Sequence, residues 1–165
     1  MTFDDLIKGL RKQISGTHHP RELAIDVMFA LQNRDGYLTD RGLREAADLL
    51  GMTLLELEET ATFYDFIYRE PVGKFVIHIC DGLTCWMFGG EAVTDYLCRK
   101  LDITVGETTR DGLFTVLPTA CIGYCDRAPA LLINRVPYGP LTPEKIDTIL
   151  ADLKSATFRT NGERT

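Results

Sequence analysis

The sequence predicts an α/β (α+β) protein in two parts, a helical bundle over residues 1–69 and a mixed domain over residues 70–155, with a flexible tail at 156–165. Three observations carry this. Apolar residues recur at three- and four-residue steps as far as Tyr64, the period of helices with one buried face. After Pro71 and Gly73 the period falls to two, as in a strand. From there the elements run strand, helix, strand, strand, strand, helix.

In the first part, Phe3, Leu6, Ile7, Leu10 and Ile14 place a helix over residues 3–14. Pro20 suits the first turn of a second helix reaching about Asn33, whose Leu23, Ile25, Val27, Met28, Ala30 and Leu31 need cover on much of the circumference. Thr39 or Asp40 can cap a third helix from Arg41 to Leu50, ended by Gly51. Thr53 with Glu56 makes a capping box for a fourth, running to about Tyr64.

In the second part, Phe75, Ile77 and Ile79 alternate with Val76 and His78 in a strand that ends at Cys80. Residues 89–101 regain helical spacing through Val93, Tyr96, Leu97 and Leu101. Leu113–Leu117 is a second strand that Pro118 closes, and Ala130–Ile133 a third, turned through Asn134-Arg135 into Val136–Tyr138. Thr142 caps a last helix reaching Leu153, beyond which the segment SATFRTNGERT reads as frayed. This order suggests a sandwich of thioredoxin-like type.

A formal charge of -6 disfavours a sequence-independent grip on nucleic-acid phosphates. No stretch approaches the roughly 20 apolar residues of a membrane span, and the start lacks a basic segment followed by an apolar run, so the expected location is the cytoplasm. There is no internal repeat or low-complexity segment.

Five cysteines in such a chain are reduced thiols by default, so their spacing has to say what they do. Cys80 and Cys85 form a C-x4-C pair at the end of a strand, and Cys121 and Cys125 a C-x3-C pair after another. Neighbouring strands lie about 5 Å apart, so two such loops can surround one inorganic centre. Four thiolates suit an iron–sulfur cluster or zinc, whereas calcium and magnesium want oxygen. Zinc pairs are typically C-x2-C, and the wider spacing favours a two-iron rhomb. Structural zinc and unliganded thiols stay open at this point. A disulfide exchanger would need C-x-x-C, which is missing.

Cys98 falls inside the predicted helix 89–101 and reads as a small core residue. Gly123 would let backbone N–H groups approach bridging sulfides, or is simply a turn glycine. Arg99 and Arg127 could offset cluster charge, although surface positions suit both better. Trp86 reads as a core aromatic, His78 as a packed or edge histidine, and His18-His19 as a linker or cap. Phe88-Gly89-Gly90-Glu91 is neither a dinucleotide fingerprint nor a P-loop, so cofactor chemistry beyond the cysteines has to come from a partner.

The runs ATFYDFIYREPVGKFVIHICDGLTCW, VGETTRDGLFTVLPTACIGYCDRAPALLIN and LTPEKIDTIL resemble the NuoE family of bacterial NADH-quinone oxidoreductase, complex I, over roughly residues 20–153. The resemblance implies a helical N-terminal part and a thioredoxin-like 2Fe-2S ferredoxin domain, with the cluster on Cys80, Cys85, Cys121 and Cys125 and no catalytic side chain. It implies a NuoF-like flavoprotein partner that binds FMN and NADH and carries a 4Fe-4S cluster, and a peripheral place at the inner membrane through the complex. Similar subunits serve NAD-dependent formate dehydrogenases and hydrogenases. The helical part is the expected docking element, since a short bundle has little core of its own.

Overall fold

The computed structural model describes the backbone of residues 3–162 and the side chains of residues 8–157. Two compact units meet between Val72 and Gly73.

The first unit holds four helices: α1 (Phe3–Gly16), α2 (Ala24–Asp35), α3 (Asp40–Leu50) and α4 (Leu54–Phe63). Phe3, Leu6 and Ile7 lie outside the described side chains, while Leu10 is buried and Ile14 packs against the same core. Pro20 opens a 3₁₀ turn, Pro20–Leu23, rather than the α-helix itself, which starts at Ala24. Val27, Met28, Ala30 and Leu31 of α2 meet Leu43 and Ala46 of α3 and Leu57 and Ala61 of α4 in one apolar cluster. Thr39 accepts from the Gly42 N–H at the start of α3. At α4 the capping box is complete, with Glu56 N–H donating to Thr53 Oγ1 at 3.2 Å and Thr53 N–H to Glu56 Oε2 at 2.8 Å. The buried Gln32 ties the segment after α4 to α2, donating to the Phe66 carbonyl and accepting from the Tyr68 N–H.

In the second unit a four-stranded sheet runs in the order β2-β1-β3-β4, with β1 (Phe75–Cys80), β2 (Phe114–Thr119), β3 (Leu131–Ile133) and β4 (Val136–Tyr138). β1 is parallel to β2 and antiparallel to β3, and β3 is antiparallel to β4. The parallel pair needs a crossover, which α6 (Gly90–Leu101) provides after a short α5 (Leu83–Met87). Leu97 and Leu101 of α6 join Ile146 and Leu150 of α7 (Pro143–Gly162) over Ile77, Phe114, Val116, Leu131 and Ile133. This is the thioredoxin-like arrangement that the element order suggests.

Four elements differ from expectation. β2 passes through Pro118 to Thr119, because it is the outer strand of the sheet and a proline there need not break the ladder. α5 has no counterpart in the sequence reading. α7 does not stop at Leu153 but runs to Gly162. His78 is 1% exposed, because β1 is central and buried on both faces. The Asn134-Arg135 turn is as expected, with both residues in the left-handed region that tight hairpins require.

Candidate metal centre

The parallel pairing of β1 and β2 sets the site. Cys80, the last residue of β1, stands level with Thr119, the last of β2, so both chains leave the sheet at the same end. The Asp81 N–H donates to the Thr119 carbonyl at 2.9 Å, which holds the two exits together. Cys121 follows directly on one side. On the other, the chain enters α5, so that Cys85 sits in a helix rather than the expected loop, and Cys125 opens a 3₁₀ turn, Cys125–Arg127.

Two glycines let these segments close up. A Cβ on Gly82 would stand 3.1 Å from Cys121 Cβ and 3.3 Å from its Sγ, and one on Gly90 would stand 2.8 Å from the Cys85 carbonyl oxygen. Only a hydrogen in each place leaves room. Gly123, at φ +75°, turns the chain between the last two cysteines.

The four sulfurs form one linked group. Cys121 and Cys125 lie 3.8 Å apart, and the Cys80 thiol interacts with those of Cys85 and Cys121. Cys80 and Cys85 are buried, with Ala130 between Ile122, Tyr124 and Ala128, whereas Cys121 and Cys125 are exposed. Burial opposes charge on Cys80, yet the N–H groups of Ile122 and Gly82 donate to its sulfur and carry its pKa below the ordinary thiol value. Cys85 is pushed up to about 11, first by burial and then by the Cys80 sulfur. Cys125 is raised by its contact with Cys121, against the Thr84 hydroxyl that lowers it. One thiolate is therefore favoured and further ones are resisted. Four together need positive charge among them, which iron would supply.

Among the described residues no three His, Cys, Asp or Glu side chains are disposed to hold one metal ion. A two-iron cluster asks instead for two pairs of thiolates around two metals, and two pairs are what the strand ends bring together. The donor set and its N–H groups fit such a cluster.

The remaining candidates fall apart from this group. Cys98 is half-buried on α6 and packs against the sheet core. Arg127 is a surface residue beside Asp126 at 3.6 Å, and Arg99 is exposed. Trp86 is 55% exposed, not a core aromatic, because α5 turns Cys85 inward and Trp86 outward. Gly82, Gly90 and Thr84 were not singled out from sequence. The signal for Gly82 was present, since it lies inside the first cysteine pair.

The thioredoxin-like 2Fe-2S ferredoxin family matches residues 10–154. The NuoE component of NADH-quinone oxidoreductase from Escherichia coli strain K12 is 39% identical over 140 residues, covering 83% of this chain and 84% of that protein. Its counterpart from Pseudomonas aeruginosa is 37% identical over 136 residues, covering 81% and 82%. Among solved structures, the air-oxidised NAD+-reducing NiFe hydrogenase matches with a TM-score of 0.67 and 30% identity over 79% of this chain. The match spans only 23% of that much longer chain.

Proposed function

The chain belongs to the thioredoxin-like 2Fe-2S ferredoxin family, and from that premise we propose that it is the electron-transfer subunit of the NADH-dehydrogenase module of an NADH:quinone oxidoreductase. The observation that carries this reading is the linked group of Cys80, Cys85, Cys121 and Cys125 at one end of the sheet, which would hold one 2Fe-2S cluster. The partner is a NuoF-like flavoprotein that binds FMN and NADH and carries a 4Fe-4S cluster. Association with the membrane comes through the complex; among the described residues no helix is long and apolar enough to cross one.

Bound here, a 2Fe-2S cluster supplies a store for one electron. The chain's own contribution is to ligate and to tune. The Ile122 and Gly82 N–H groups face Cys80 and the Ala130 N–H faces Cys85, so fixed dipoles offset negative charge on the buried sulfurs. Burial of Cys80 and Cys85 keeps water from one side, while Cys121 and Cys125 stand at the surface, where exchange with a partner is short-range. No side chain acts as general acid or base, and the isolated chain is not expected to turn over NADH.

Likeness to the NAD+-reducing hydrogenase supports a second reading, the equivalent subunit of an NAD-linked hydrogenase or formate dehydrogenase. The NuoE relatives are more similar, at 39% against 30%, and favour the first. Anaerobic purification with absorbance, low-temperature EPR and metal counting tests the cluster. About two irons per chain and a rhombic signal after dithionite are the expected results. A colourless protein with one zinc, even after reconstitution with iron and sulfide, leaves a structural zinc module instead.

A further inference from the structure

Two groups of large apolar side chains are exposed among the described residues, one on each unit. On the helical unit these include Leu55 and Phe63. On the other, Leu83, Trp86 and Met87 follow the i, i+3, i+4 spacing that places them on one face of α5, and Phe88 caps the helix; Leu83, Met87 and Phe88 are 71%, 68% and 65% exposed. Solvent-facing apolar residues clustered this densely mark an interaction surface.

The α5 face is also bordered by charge of one sign. Trp86 forms one wall of a cavity of about 500 Å³ whose other lining includes Asp81, Glu91 and Asp95 and no lysine or arginine. An apolar centre with an acidic border is complementary to a protein with an apolar centre and a basic border. The same short helix carries Cys85 on its buried side, and its end is pinned where Gly90 packs on the Cys85 carbonyl. A protein seated there lies as near the sulfurs as this surface allows, and electron transfer falls steeply with distance. Contacts between electron-transfer partners are small, so a five-residue helix can form the centre of one.

We propose that the exposed face of α5, with its acidic border, is the docking surface for the redox partner, a protein that presents an apolar patch rimmed by basic side chains. This rests on the electron-transfer reading above and differs from docking through the helical bundle. The bundle encloses a substantial apolar core of its own and does not need a partner to bury it.

The test is binding of the cluster-loaded full chain to the NADH-oxidising flavoprotein of the same organism, by calorimetry at low and high salt, with cluster absorbance recorded for every variant. Met87→Ser with Phe88→Ser should weaken binding at least about tenfold with absorbance unchanged. Glu91→Lys with Asp95→Lys should weaken it and flatten its salt dependence. Leu55→Ser with Phe63→Ser should bind as wild type. If the wild-type chain does not bind, the electron-transfer reading with this partner fails and docking fails with it. If it binds and both α5-side variants bind equally well, or if only the bundle variant loses binding, the docking surface is overturned while the reading stands. Should the Met87/Phe88 variant lose its absorbance, the lysine variant decides, and unchanged affinity overturns the proposal. A wild-type dimer that the Met87/Phe88 variant converts to monomer assigns the face to a second copy and also overturns it.

Discussion

Cys98 is the natural control for the four proposed ligands, because it is the one cysteine whose sulfur faces the sheet core rather than another thiol. Cys98→Ser should therefore keep about two irons per chain and an unchanged visible spectrum, whereas serine at Cys80, Cys85, Cys121 or Cys125 should lower iron content and alter the EPR signal. Iron retained at full occupancy in Cys85→Ser would remove that residue from the ligand set. Gly82→Ala is a subtler probe. Its φ of -74° suits any residue, so the substitution carries no backbone penalty and acts only through the methyl group pressed against Cys121. Secondary structure should stay as in wild type while the cluster bleaches several-fold faster in air, as the two strand exits are wedged apart. Equal bleaching rates would show that the loops absorb the methyl group without strain. The cysteine pairs could be read from spacing. The glycine contacts could not, because they join residues far apart in sequence.

Helix caps are local, which is why the Thr53–Glu56 box was visible from four residues of sequence and is found complete. Thr53→Ala leaves two N–H groups of α4 without their side-chain partners and should destabilise the helical unit by about 1 kcal/mol in urea unfolding. A loss below about 0.3 kcal/mol would mean that water replaces the cap at no cost. α5 escaped the sequence reading for the opposite reason. Five residues, LTCWM, are too few to show a period, and what fixes them as a helix is the inward turn of Cys85. The same blindness placed Trp86 in the core, since composition says that tryptophan is usually buried and only the helix phase says which way this one points. Pro118 was misread as a strand end because a one-dimensional pattern cannot tell an edge strand from a central one. The order of strands and helices in the second unit, which depends on strong alternating and helical periods, was legible throughout.

The two units answer to different perturbations, because each has its own core and its own polar ties. In the helical unit Arg34 binds Asp35 and Glu45, and hydrogen bonding to its guanidinium holds both carboxyls below their usual range. A carboxylate with a lowered folded pKa adds stability above its unfolded value, near pH 4, and loses it as pH falls through the folded value. Arg34→Gln should therefore weaken the helical unit by about 0.5–1 kcal/mol at pH 7, the scale of partly exposed pairs, and by nothing once the carboxylates are protonated. Amide exchange at Met28 and Leu57 reads this without reference to the cluster. Removing iron does the reverse. A cluster that binds only the folded site stabilises it by mass action, and its loss leaves four thiols whose buried members resist charge. Stripping the cluster anaerobically with a chelator should speed exchange at Ile77 and Val116, in the strands that end at the cysteines, while Met28 and Leu57 keep their protection. If all four amides lose protection together, the two units fold as one cooperative body and the cluster supports the whole chain. If none does, the sheet core under α6 and α7 is sufficient on its own, and the cysteine end is held by the Gly82 and Gly90 contacts without metal.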